Sequence, residues 1–180
     1  MRFLFILILL GASMPADAAQ ITICYNYGCA VQAEIELDAD DRVLLDQLFN
    51  ETETPVLERS AIQFAIGLLN RIAGRQTPIR NDKGGNYEDD GVEGRMDCID
   101  HSRTTTAYLE WIEARGLLHF HRVLSPIRRA PQLVNDHWSA RILDTQSAEQ
   151  YAVDSWFFDS GEPAAIFPVR EWLKGAEPHG

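Results

Sequence analysis

Alternation and helical spacing divide this chain into a hairpin, three helices and a set of strands. From Ile21 to Leu37, "ITICYNYGCAVQAEIEL", apolar and polar residues alternate on both sides of "YNYG". A period of two marks a half-buried strand, so the stretch predicts a β-hairpin with Asn26 and Gly28 near its turn. "DADDRVLLDQLFNE" follows, with Val43, Leu44, Leu45, Leu48 and Phe49 on a short amphipathic helix. In "TPVLERSAIQFAIGLLNRIAG", Leu57, Ala61, Phe64, Ala65, Leu68 and Ile72 keep the helical period and predict a buried stripe. Thr54 suits its N-cap, Pro55 its first turn and Gly74 its end.

Residues 75–97, "RQTPIRNDKGGNYEDDGVEGRMD", are polar, glycine-rich and aperiodic, which predicts a loop. A third helix opens at Cys98 and runs to about Arg115, with Tyr108, Leu109 and Ile112 buried and Gly116 just past its end. Three strand-like segments come next: "LLHFHRVLS", "DHWSARILDT" and "EQYAVDSWFFDS". "PIRRAPQLVN" reads as the connection between the first two, and "PAAIFPVREWLKG" as a short helix packed on the sheet. On "DHWSARIL", Trp138, Ala140 and Ile142 make a buried face, while His137, Ser139 and Arg141 face a polar cleft. Helices first and antiparallel strands after them predict an α+β domain.

The first nineteen residues stand apart. One basic residue, an apolar run from Phe3 to Leu10 and an A-x-A pattern at Ala16 and Ala18 predict a secretory signal peptide over 1–19. Residues 20–180 then form one domain of a size that suits a single core. The run is short for a bilayer span, and no later segment is long and apolar enough to cross a membrane. Export to the periplasm or beyond is the expectation. A formal net charge of −11 argues against nucleic acid as a partner, because phosphate contacts need clustered Lys and Arg.

Export gives the three cysteines meaning. Cys24 and Cys29 flank the hairpin turn and are placed to pair across it. Cys98 is left over, at a helix start, where free N–H groups and the helix dipole favour a thiolate. A nucleophilic thiol needs a base, and the base needs an orienting group. His137 opens a strand, and Asp154 sits in the apolar run "YAVDSWFF", where an unpaired carboxylate is costly. Asp154 is expected to accept the Nδ1 proton of His137 and leave Nε2 to the thiol. Among the other histidines, His101 shares the Cys98 helix and His179 lies next to the C-terminus. His119 and His121 alternate onto one strand face with no third zinc ligand spaced for them, so they are expected to be ordinary strand residues.

"MDCIDHS", "NDHWSARIL" and "YAVDSWF" occur in the order cysteine, histidine, aspartate, after the polar approach "NDKGGNYEDDGVEGRMDC". Over roughly residues 55–160 the chain resembles the transglutaminase-like superfamily, and within it the bacterial periplasmic transglutaminase-like cysteine peptidases. The resemblance implies a papain-like α+β fold with the cysteine helix packed on an antiparallel sheet. It implies acyl transfer on a protein or peptide substrate, with Cys98 attacking, His137 shuttling the proton and Asp154 holding the imidazole. The Cys98 amide would supply one oxyanion donor, with Asn86 or Tyr87 as candidates for the second. Two other activities fit the same pattern: a catalytically silent domain that binds a protein partner in the cell envelope, and a cross-linking or deamidating enzyme.

No cofactor is needed for this chemistry, and one ion is a candidate. Asp97 and Asp100 suit the N-cap and third position of the Cys98 helix. Carboxylates beside a thiol also raise its pKa, which a bound cation would offset. The resembled peptidases use such residues for calcium, so Asp97 and Asp100, with Glu88, Asp89 or Asp90, are the expected calcium ligands if one binds.

Overall fold

The computed structural model describes residues 19–86, 88–130 and 136–178. The stretch before Ala19, expected to be a signal peptide, Tyr87 and His179 lie outside the described residues. The chain is α+β with two antiparallel sheets. Strands β1 (Ala19–Tyr25) and β2 (Val31–Leu37) form the predicted hairpin. Ile21, Ile23, Ile35 and Leu37 point into the core while Thr22, Glu34 and Glu36 face solvent. Cys24 and Cys29 are joined by a disulfide across the turn.

Helix α1 (Ala39–Phe49) starts at Asp38, whose side chain accepts the Asp41 amide. Helix α2 (Pro55–Gln76) starts at Thr54, whose hydroxyl accepts the Leu57 amide. It runs past Gly74 and stops at Gln76, where Thr77 turns its amide and hydroxyl back onto the Ala73 carbonyl. The buried stripe is rotated from the predicted one. Leu57 and Phe64 are 49% and 53% exposed, and Glu58, Ile62, Ile66 and Leu69 lie inward instead. The cause is Glu58. Its carboxylate accepts the amides of His119, Phe120 and His121, and it can do so only from the inward face.

Helix α3 (Cys98–Ala114) packs on β1, β3, β4 and β5, and α2 touches β2, β6 and α3, so each long helix touches both sheets. The second sheet has four strands in the order β3 (His121–Arg129), β4 (His137–Asp144), β5 (Gln150–Asp154) and β6 (Ala165–Pro168). Strand β3 begins and ends later than its sequence pattern suggests. Its register with β4 shifts between Leu124 and Ile127, and that irregularity admits Pro126 into a strand. The segment expected to be a short helix yields both β6 and a one-turn helix α4 (Val169–Trp172). No described helix is long and apolar enough to cross a membrane.

The long loop between α2 and α3 is held at both ends. Asp82 accepts the Met96 amide at 2.7 Å, and its own carbonyl accepts the Ser160 amide. Gly94, at φ 94°, lies where a Cβ would come within 2.1 Å of the Pro78 carbonyl oxygen, so only glycine fits there.

Candidate active site

Cys98 is the first residue of α3 and its thiol is half-buried. The backbone N–H of Trp138, the residue after His137, lies near enough to the thiol to favour its anion. Helix α3 packs against β4 because Tyr108, Leu109 and Ile112 bury against the apolar side of the sheet, as their spacing predicts. That packing brings the helix start to the first residues of β4.

His137 Nε2 is 2.8 Å from Asp154 Oδ2, and both residues are buried. The ring nitrogens are therefore used in the opposite sense to the expected one: Nε2 meets the carboxylate, and Nδ1 is the nitrogen left over. The carboxylate sits near the end of the strand beside β4, and the cross-strand reach favours the far nitrogen of the ring. The His137 face of β4 is also covered rather than open. Trp156, Phe157 and Trp172 place their ring centroids 4.7, 5.8 and 5.7 Å from the imidazole.

Asp154 is 1% exposed yet its charge is well met. Oδ2 also accepts Trp172 Nε1 at 2.8 Å, and Oδ1 accepts the Trp156 amide at 3.3 Å. The buried Arg129 guanidinium lies over the Trp172 ring at 4.7 Å and donates to the Trp172 carbonyl at 2.6 Å. Burial lowers the Arg129 pKa, and the Asp154 charge pulls it back up. Sequence reasoning missed Trp172 and Arg129. Only the mixed spacing "FPVREWL" marks a buried helix turn there, and nothing local ties it to Asp154.

A second buried polar chain stands behind the first. His101 sits one turn after Cys98 and is 2% exposed. Its Nδ1 is 2.9 Å from Ser155 Oγ, which is 3.0 Å from Thr105 Oγ1. Its Nε2 is 3.1 Å from Asp82 Oδ2, an ion pair off the hydrogen-bond line. Burial opposes a charge on His101, but the Asp82 carboxylate outweighs it and pushes the pKa up. This chain ties α3 to the residue after Asp154 and to the foot of the long loop. His119 lies in the bend before β3, and His121 Nδ1 is 2.8 Å from Glu58 rather than poised for a metal.

The electrostatics of Cys98 run against the simple helix-start expectation. Burial pushes its thiol above the ordinary cysteine pKa. The Trp138 N–H pulls it back, and the charges of Asp97, Asp136 and Asp154 push it further up.

Asp97 and Asp100 form a reciprocal capping box around Cys98. Asp97 Oδ1 accepts the Ile99 and Asp100 amides, and Asp100 Oδ2 accepts the Asp97 amide. Their remaining oxygens accept the Gly28 and Cys29 amides. All four oxygens are thus turned toward backbone donors, and Asp89 is bonded to the Tyr27 hydroxyl and the Lys83 amide. A calcium ion at Asp97 and Asp100 would have to share oxygens already facing N–H groups. Asn86 Oδ1 accepts the Trp156 indole N–H.

Burial pushes the Asp100 carboxyl up to about 6, the amides of Asp97 and Cys29 pull it down, and the Asp97 charge raises it again. A carboxyl raised in the native state binds its proton more tightly there than when unfolded, where its pKa is about 3.9. Stability is therefore expected to fall as pH rises from about 4 to about 6 on this account. Urea midpoints at a series of pH values should show that slope in the parent protein and its loss in Asp100→Asn.

No protein-family model, no curated protein and no solved structure matches this chain.

Proposed function

We propose that this chain is an exported, cysteine-dependent acyl-transfer enzyme with a transglutaminase-like, papain-like arrangement, acting as a peptidase on a protein substrate. The observation that carries the reading is the His137–Asp154 bond at 2.8 Å, with the N–H of the next residue, Trp138, acting on the helix-start thiol of Cys98. The imidazole is oriented by one carboxylate, and that carboxylate is oriented by Trp172 and Trp156.

In this reading Cys98 Sγ attacks the substrate carbonyl carbon as its proton passes to His137. The oxyanion gains from the Cys98 amide, which as the first helical residue has no intrahelical acceptor. Collapse breaks the C–N bond, and the imidazolium gives its proton to the leaving amine. Water then attacks the thioester with His137 again as base, releasing the acid and restoring the thiol. An amine in place of water would give cross-linking.

One observation favours the alternative, a catalytically silent protein-binding domain: burial and three aspartate charges hold the thiol protonated. The test is to incubate the oxidised protein with a mixed protein substrate and a labelled primary amine, then to map new termini and incorporated label by mass spectrometry. New termini that vanish with Cys98→Ser support the peptidase. Label incorporation supports transfer, and no Cys98-dependent product supports the binding module.

A further inference from the structure

The tip of the β1–β2 hairpin is not an ordinary two-residue turn. Asn26, Tyr27, Gly28 and Cys29 have φ of 67°, 63°, 65° and 61°. Four consecutive residues lie in the left-handed region, which costs a non-glycine residue about 1–2 kcal/mol, and only one of them is glycine. The Cys24–Cys29 disulfide closes this turn.

The turn is seated on the start of α3. The Gly28 amide donates to Asp97 Oδ2 at 2.8 Å, and the Cys29 amide donates to Asp100 Oδ1 at 2.7 Å. The Asn26 amide donates to the Arg95 carbonyl, and Asn26 Oδ1 accepts the Gly94 amide, each at 2.8 Å. Further along the helix, Thr104 Oγ1 accepts the Cys24 amide at 2.9 Å. Asp97 and Asp100 cap the helix, and Cys98 lies between them. The left-handed turn aims two successive amides at Asp97 and Asp100, the two members of the capping box.

We propose that the Cys24–Cys29 disulfide is a redox latch on the Cys98 site. Oxidised, it holds the left-handed turn against Asp97 and Asp100 and fixes the first turn of α3. An external dithiol opens it: the S–S bond takes two electrons and two protons, Cys24 and Cys29 become thiols, and the dithiol leaves as its own disulfide. Cys29 is partly exposed, so the reductant has a sulfur to attack, whereas Cys24 is buried. Once open, the turn relaxes to right-handed conformations. Two carboxylate oxygens beside the thiol then lose their donors, and their charge raises the barrier to a thiolate. The consequence for catalysis rests on the function proposed above, while the latch itself rests only on the geometry of the turn and the caps.

The double variant Cys24→Ser/Cys29→Ser leaves Cys98 as the only thiol. Hydrogen exchange at residues 97–101 is expected to speed up about tenfold relative to the oxidised parent, as local opening does. Iodoacetamide alkylation of Cys98 at pH 7 is expected to slow about fivefold. Unchanged exchange overturns the latch and leaves the disulfide a staple of the hairpin. Faster exchange with alkylation equal to or above that of a reactive parent also overturns it, because the opening is then uncoupled from the thiol. Faster exchange with a thiol inert even in the parent upholds the latch and sinks the enzymatic reading instead. Should the double variant not fold, the same exchange in Cys98→Ala across a cycle of reduction and reoxidation decides: reversible loosening of 97–101 upholds the latch, and its absence overturns it.

Discussion

Replacing His137 with glutamine is expected to lower Cys98-dependent turnover by about 10²–10⁴-fold, the usual range for loss of a positioned acid–base. Glutamine is the better choice than alanine here. The imidazole is packed among Trp156, Phe157 and Trp172, and truncating it would leave a cavity that costs stability on its own account. Glutamine keeps most of the volume and can still donate to Asp154, so the melting temperature should change little. A second readout separates two forms of the mechanism. Burial and the charges of Asp97, Asp136 and Asp154 push the thiol up, so the thiol keeps its proton until attack. Alkylation of the parent should then rise with a midpoint above about 8.5, the free-cysteine value, and the glutamine variant should keep that midpoint while losing turnover. A parent midpoint well below that value would mean a preformed thiolate–imidazolium pair instead. Turnover unchanged in the variant would remove His137 from the chemistry altogether.

Local signals carried much of this architecture, and long-range ones carried almost none. The hairpin was legible because alternation and the "YNYG" turn lie within one short stretch, and Cys24 and Cys29 flank that turn. The start of α3 was legible because Asp97 and Asp100 have capping spacing around Cys98. Juxtaposing His137 with Asp154 followed from placing each on a neighbouring strand, and the two side chains do meet. The nitrogen that meets the carboxylate could not be read, since it depends on how far one strand's side chain must reach to the next. Nor could the docking of the hairpin tip on α3, because Gly28 and Asp97 carry no mark of each other in sequence. His101 was visible as a histidine on the cysteine helix, but its partners Asp82 and Ser155 come from a loop and a strand end. The α2 stripe misled for a physical reason: a glutamate at the inward position hides among apolar neighbours, and periodicity counts it as polar and outward.

That glutamate carries the largest expected effect on stability. Glu58 is fully buried, and its two oxygens accept three successive amides, from His119, Phe120 and His121, together with His121 Nδ1. Arg59 Nη1 approaches His121 Nε2 at 3.2 Å, which makes that nitrogen the acceptor and Nδ1 the donor. Glu58→Ala would leave four donors without this acceptor, two of them on the buried His121. Each buried orphan costs about 1–3 kcal/mol, so a loss of about 2 kcal/mol or more is expected. A domain of this size has only about 5–15 kcal/mol in total, so the urea midpoint should fall steeply. Burial pushes the Glu58 carboxyl up, but the His121 bond and the amides outweigh it and hold the pKa below the usual range. A depressed carboxyl contributes stability that is present above its unfolded pKa of about 4.3 and is lost as pH falls through the native value. Its slope is therefore opposite in sign to that of Asp100, whose contribution worsens as pH rises toward about 6. Glu58→Gln should remove the acid-side slope while keeping an acceptor, and so should lie between the parent and Glu58→Ala at neutral pH. A Glu58→Ala midpoint within error of the parent would mean that residues 119–121 find other acceptors, and that the start of β3 does not depend on α2.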